Sequence, residues 1–263
     1  MAPAAHDTIS PGDPIGLWLP VGRCSTFARV WEPRAAPAVV LVPGFGLSGE
    51  YLVPLGERLA GPFRVYAPDL PGFGRSDRPR RALRVEESAE ALEGWIDAAG
   101  LHRPGVLANS LGCQVAVDLA ARRPVGALVL VSPGMDPATR SLVRQIVLWI
   151  KERRTQSPQL RRIVLRDLLR ASPIRLARTL GYALADAVED KLPHVAVPTL
   201  VVRGTADPLV SRAWAQQVAD LLPEGQLEEL ADATHAMVHD MPAVLADAVL
   251  PFLHAHLAPE SGR

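Results

Sequence analysis

Val106-Leu-Ala-Asn-Ser-Leu-Gly-Cys113 is the stretch whose reading decides the fold. A short apolar run ends at Asn109, a serine follows, and an alanine-rich helical pattern begins at once. The chain must therefore turn from strand to helix within one or two residues. Such a turn needs small neighbours, and Ala108 and Gly112 stand two places before and after Ser110. A lone serine ahead of a helix is most often an N-cap whose hydroxyl satisfies a backbone amide. Small residues on both sides point instead to a serine held in a strained conformation and presented at the end of a strand.

Working outward, short β-branched runs recur between amphipathic stretches: Ala38-Val-Val-Leu-Val42, Phe63-Arg-Val-Tyr-Ala67, Gly105-Val-Leu-Ala108, Ala127-Leu-Val-Leu-Val131 and Thr199-Leu-Val-Val202. Continuous apolar runs of this length suit parallel strands covered by helices on both faces. Residues 17–21 and 26–31 predict an antiparallel hairpin turning at Gly22, and residues 226–230 a further strand. Residues 243–256 predict a closing helix. The expected fold class is α/β, with a mostly parallel eight-stranded sheet.

Between Pro133 and Lys191 the strand signal gives way to helical periodicity, as in Leu142, Ile146, Trp149 and Ile150. Ser157-Pro158 and Ser172-Pro173 divide this segment into three helices, because the residue before proline avoids helical angles while proline fits a helix start. The division this predicts is a core of residues 15–133 and 191–258, a helical cap at 134–190, a flexible tail at 1–14 and a C-terminal tail at 259–263.

Bulk properties narrow the function classes. The 263 residues are 48% hydrophobic, enough for one domain with a sizeable core. Lys plus Arg and Asp plus Glu number 28 each, so no overall field draws the chain to nucleic acid. Cys24 and Cys113 make neither a metal-ligand spacing nor a disulfide framework, and no apolar stretch approaches the roughly 18 residues of a membrane span. Residues 1–14 lack the pattern of a secretion signal, so the expectation is a cytoplasmic protein, monomeric or homodimeric.

Three further motifs give the chain a resemblance to the α/β-hydrolase superfamily over about residues 16–257. Val42-Pro-Gly-Phe-Gly46 resembles the family's oxyanion loop, and Asp69-Leu-Pro-Gly-Phe-Gly-Arg-Ser-Asp77 its Asp-x-x-Gly-x-Gly-x-Ser segment. Arg203-Gly-Thr-Ala-Asp207 matches the position of the acid. Thr234-His235, followed by Asp240-Met-Pro242, resembles the family's histidine motif. The resemblance implies Ser110 as nucleophile, Asp207 as acid and His235 as base, with the backbone N–H groups of Phe45 and Leu111 as the oxyanion hole. Pro43 stands where the family usually has a histidine that organises this loop, and Ala108 where glycine is commonest.

The chemistry explains the residue types. A serine hydroxyl is a weak nucleophile until a base within hydrogen-bond reach takes its proton. Histidine, with an ordinary pKa of about 6.5, serves near neutrality, and a buried carboxylate fixes its tautomer and stabilises the imidazolium. His239 competes for the base role, and Asp232 and Asp136 for the acid. His235 and His239 lack the glutamate of a zinc-protease helix, and Gly44, Gly46 and Gly49 do not form a phosphate loop, so neither metal nor cofactor is expected.

Residues 140–178 hold eleven cations against Glu152 and Asp167, a surplus of nine that the rest of the neutral chain balances. Such a face could attract a carboxylate, a phosphate-bearing acyl donor or an anionic surface; a solvated arginine face is the bland alternative. Asn109, Ile146 and Trp149, with Leu142, Leu168, Leu169, Leu176 and Leu180, are expected near the substrate. The reading is a serine hydrolase cleaving an ester or thioester of a small-to-medium, partly apolar acyl compound through an acyl-enzyme. Two alternatives stay open: a carbon–carbon bond hydrolase, although Ala236 replaces the tryptophan common there, and a ligand receptor or signalling partner that keeps the same residues.

Overall fold

The computed structural model describes residues 13–31 and 36–257. The predicted tails at 1–14 and 259–263 lie outside these residues, apart from Asp13 and Pro14. The chain begins with β1 (Ile15–Val21) and β2 (Cys24–Trp31), paired antiparallel around a turn in which Gly22 takes φ 58°. There follow β3 (Ala38–Val42), α1 (Val53–Leu59), β4 (Arg64–Pro68), α2 (Val85–Ala98), β5 (Gly105–Asn109), α3 (Leu111–Arg122) and β6 (Ala127–Val131). Next come four helices without an intervening strand: α4 (Leu142–Glu152), α5 (Pro158–Arg170), α6 (Pro173–Ala185) and α7 (Val188–Lys191). The chain then returns to the sheet through β7 (Thr199–Gly204), α8 (Arg212–Leu221) and β8 (Gly225–Leu230), and closes with α9 (Met237–Asp240) and α10 (Pro242–His256).

The eight strands form one sheet in the order β1-β2-β4-β3-β5-β6-β7-β8. β2 runs antiparallel to both its neighbours, and every other pair is parallel. The sheet is therefore mostly parallel, as the β-branched runs predict. β3, β5, β6 and β7 bury every residue. Because successive strand residues point to opposite faces, each run feeds two cores. Val40, Val106 and Leu128 pack on one face with Trp95 of α2, Leu119 of α3 and Trp214 of α8. Val39, Leu107 and Val129 pack on the other with Leu55 of α1 and Val249 and Leu253 of α10. The outer strand β8 is only half-buried and carries Glu228 and Glu229, which protect an open edge from further pairing. No helix among the described residues is long and apolar enough to cross a membrane.

The segment Asp69–Asp77 ties the loop after β4 to β2. Asp69 is fully buried and pairs with Arg29 at 2.8 Å. It also accepts the N–H groups of Gly49 at 2.6 Å and Arg75 at 2.8 Å. Gly74 takes φ 55°, and a Cβ there would lie 2.1 Å from Asp69 Oδ2, so this glycine is required twice over. Ser76 Oγ donates to the Asp69 carbonyl at 2.6 Å and accepts the Phe27 N–H at 2.9 Å. The motif is a scaffold at the C-terminal ends of the strands, where the functional loops gather.

Replacing Asp69 by alanine would leave the Arg29 guanidinium, 9% exposed, with the longer contact to Glu50 as its remaining ion pair. We predict a stability loss of about 3 kcal/mol in urea denaturation with an unchanged slope. A loss below about 0.5 kcal/mol, the level of an ordinary surface change, would contradict the scaffold role.

Candidate active site

The strand-to-helix turn is as tight as the sequence requires. Ser110 joins β5 to α3 with φ 57° and ψ −121°, a conformation that L-residues reach only under constraint. Two bonds hold it there: its N–H donates to the Val131 carbonyl at 3.0 Å, and its carbonyl accepts the Cys113 N–H at 3.0 Å. A Cβ on Gly112 would come within 2.6 Å of the Pro43 carbonyl oxygen and 2.7 Å of that of Val42. No larger residue fits. Ala108 is fully buried in β5, and its methyl group is accommodated there.

The loop after β3 lies against this turn. A Cβ on Gly44 would sit 3.3 Å from Ser110 Cβ, so the two segments are in contact. Pro43 cannot organise this loop through a side-chain hydrogen bond, and Tyr51 does so. Its hydroxyl accepts the Gly44 N–H at 2.8 Å and donates to Asn109 Oδ1 at 2.9 Å, while Asn109 Nδ2 donates to the Val131 carbonyl at 3.2 Å. Burial pushes the Tyr51 phenol above its ordinary pKa, so it stays a neutral donor. Cys113 is raised for the same reason, which leaves its thiol inert beside Ser110.

His235 follows β8, and its Nδ1 lies 2.9 Å from Asp207 Oδ2, after β7. The other Asp207 oxygen accepts the Leu209 N–H at 2.7 Å and the Val210 N–H at 3.2 Å. Burial pushes the Asp207 pKa up, but the His235 charge and hydrogen bond, with the Leu209 amide, outweigh it, and the carboxyl is held below its ordinary value. Burial likewise opposes charge on His235, yet Asp207 and then Glu152 prevail and raise the imidazole above its ordinary value. Asp232 is exposed, and Asp136 caps the turn Pro137–Thr139 by accepting the Ala138 N–H at 2.8 Å. Neither reaches His235. His239 is turned away, its Nδ1 lying 2.9 Å from the Tyr51 carbonyl oxygen.

Ser110 and His235 face one cavity of about 360 Å³ that Phe45, Leu111, Ile146 and Trp149 also line. No hydrogen bond joins the two catalytic candidates across it, a separation common before substrate enters. Asn109 reaches the cavity too, with its amide committed to Tyr51 and Val131. Leu168, Leu176 and Leu180 line it, whereas Leu142 and Leu169, grouped with them on sequence, are 50% and 76% exposed and do not. Leu169 sits on the outer face of α5, whereas Leu142 shares the face of Ile146 and Trp149 but lies a turn before them, at the start of α4. Among the described residues no group of three or more His, Cys, Asp or Glu is placed to hold a metal ion.

A profile described as "Alpha/beta hydrolase family" matches residues 39–248. The chain belongs to this family. Among curated proteins it is 31% identical over 263 residues to the polyketide synthase ThaQ of Burkholderia thailandensis, covering 89% of the chain but 13% of the synthase. It is thus similar to a small part of that protein. It is also 28% identical to the pimeloyl-[acyl-carrier protein] methyl ester esterase of Stenotrophomonas maltophilia, covering 86% of the chain and 96% of the esterase. Among solved structures, a thermophilic esterase from Thermogutta terrifontis superimposes with a TM-score of 0.77 at 22% identity, covering 93% of the chain and all of that protein. At that identity the likeness shows the fold.

Two lining residues escape a reading of the α/β-hydrolase motifs. Tyr51 lies seven positions beyond Gly44, in the short 3-10 helix Gly49–Leu52, too far for any periodicity to join them. Glu152 carries one signal, an acid at the C-terminal end of a helix, where the dipole favours cations.

The strain at Ser110 is measurable. Ser110→Gly relieves a conformation costing about 1–3 kcal/mol and gives back about 0.5–1 kcal/mol through a freer unfolded chain. We expect a net gain of about 1 kcal/mol in urea denaturation; a loss of stability would contradict the strained turn.

Proposed function

We propose that this chain is a serine hydrolase that cleaves an ester or thioester of a small-to-medium, partly apolar acyl compound through an acyl-enzyme. The observation that carries the reading is the convergence of a strained Ser110 and the His235–Asp207 pair on one largely aliphatic cavity.

In this mechanism Ser110 Oγ attacks the acyl carbon while His235 Nε2 takes its proton. Asp207 holds Nδ1–H and stabilises the imidazolium. The oxygen of the tetrahedral intermediate takes hydrogen bonds from the N–H groups of Leu111 and Phe45. Leu111 is the first residue of α3, so its amide has no partner within the helix, and the helix dipole favours negative charge there. His235 then returns the proton to the departing alkoxide or thiolate, and water, activated by the same base, releases the acid and Ser110.

The cavity suits an acyl chain of moderate length, with aliphatic walls from α4, α5 and α6. The name of the Stenotrophomonas maltophilia relative specifies a methyl ester of a carrier-bound acyl group, and the match spans almost that whole enzyme, which favours an ester of this size.

Steady-state kinetics with short- to medium-chain p-nitrophenyl esters test the proposal. Ser110→Ala should lower kcat by at least about 10⁴-fold with the fold retained. Unchanged turnover would sink it. His235 must be neutral to act as base and its pKa is raised, so kcat/KM should fall on acidification through a midpoint above the ordinary value of about 6.5. A midpoint well below that value would contradict the part given to Asp207.

A further inference from the structure

Helix α4 inverts the usual sorting of side chains. Leu142, Val143, Ile146, Val147 and Ile150 are between 46% and 74% exposed, whereas Glu152, its terminal residue, is 1% exposed and is the one buried residue of the helix. Burying a carboxylate is unfavourable unless a cation or several donors compensate it, and a helix C-terminus adds to the penalty. Yet no arginine or lysine pairs with Glu152 among the described residues. One oxygen accepts the N–H of Ala236 at 3.1 Å, and the other is buried without a hydrogen-bond partner. Thr155 Oγ1 donates to the backbone carbonyl of Glu152, not to its carboxylate.

Ala236 is the residue after His235, and Glu152 and His235 line the same cavity. The imidazole is therefore the group beside Glu152 that can become positive. We propose that Glu152 is a second carboxylate partner of His235, anchored by the Ala236 amide, acting from α4 while Asp207 acts from the loop after β7. This rests on His235 being the base of the proposed reaction, for which Glu152 is a positioning residue.

Two consequences follow from the geometry. The Glu152–Ala236 bond holds the peptide that carries the imidazole, so the seating of α4 fixes the ring's approach to Ser110. The uncompensated charge of Glu152 is also unfavourable while His235 is neutral, and becomes favourable when Ser110 transfers its proton. An interaction stronger after proton transfer than before it accelerates the step. The groups acting on His235 are Asp207 and Glu152; nearby on α9, His239 is bound to the Tyr51 carbonyl and Asp240 to the Ser157 N–H. Burial, helped by the Asp207 charge, holds the Glu152 carboxyl above its ordinary pKa while His235 pulls it down, which is the mutual dependence expected of a coupled pair.

The test is an NMR titration of the His235 ring in wild type and Glu152→Gln. The amide keeps an acceptor for Ala236 but removes the charge. We expect the His235 pKa to fall by about one unit, with the acid limb of kcat/KM moving down equally and the loss in kcat rather than KM. Glu152→Asp, which keeps the charge, should restore most of the shift. An unmoved His235 titration in folded Glu152→Gln overturns the proposal. Should that variant not fold, a carbon-13 titration of Glu152 in wild type decides: ionised throughout the range where His235 titrates supports the pairing, and protonated there overturns it. The ring titration needs no turnover, so its outcome is independent of whether Ser110 proves to be the nucleophile.

Discussion

Bare backbone meets bare backbone where Gly112 passes the carbonyls of Val42 and Pro43. That approach lets α3 start directly after β5, and the abrupt start forces Ser110 into a positive φ at the strand end. The hydroxyl is thereby lifted into the cavity and the Leu111 amide is left at the head of a helix. The loop after β3 can then lie close enough for Gly44 to touch Ser110. Each of these features fails if position 112 gains a side chain, so the chemistry rests on a steric condition set by one missing carbon.

Around this turn, polar groups are arranged so that strain and charge are borne by their neighbours. Tyr51 links the loop after β3 to the end of β5 through Gly44 and Asn109, supplying the support that Pro43 cannot. Asp207 has its second oxygen filled by two backbone amides, so its orientation toward His235 is fixed from behind. The inserted helices contribute apolar wall and, at the end of α4, a carboxylate. In the proposed reaction they bear on both substrate shape and the charge around His235.

Much of this was legible in the sequence, and the parts that were not have a common physical cause. Strands covered on both faces are apolar over most of their length, so β3, β5, β6 and β7 announce themselves, with shifts of up to two residues at their ends. β4 begins at Arg64 rather than Phe63 because Phe63 still belongs to the bridge with Ala60 that precedes it. Ser110, Asp207 and His235 each follow a recognisable strand, which makes their types and order readable. Tyr51 and Glu152 act through partners that only tertiary folding brings near. For α4 the helical stripe identified both the helix and the face that carries Ile146 and Trp149 to the cavity, but periodicity alone could not tell how far along that face the cavity extends, and Leu142 at the helix start lies beyond it.

The most direct test of the account is peptide-mapped mass spectrometry of the folded protein after reaction with a fluorophosphonate, which captures a serine only where a base and an oxyanion site converge. The account predicts a single adduct, on Ser110. A folded protein that takes no adduct, or takes it elsewhere while Ser110 stays unmodified, would contradict it.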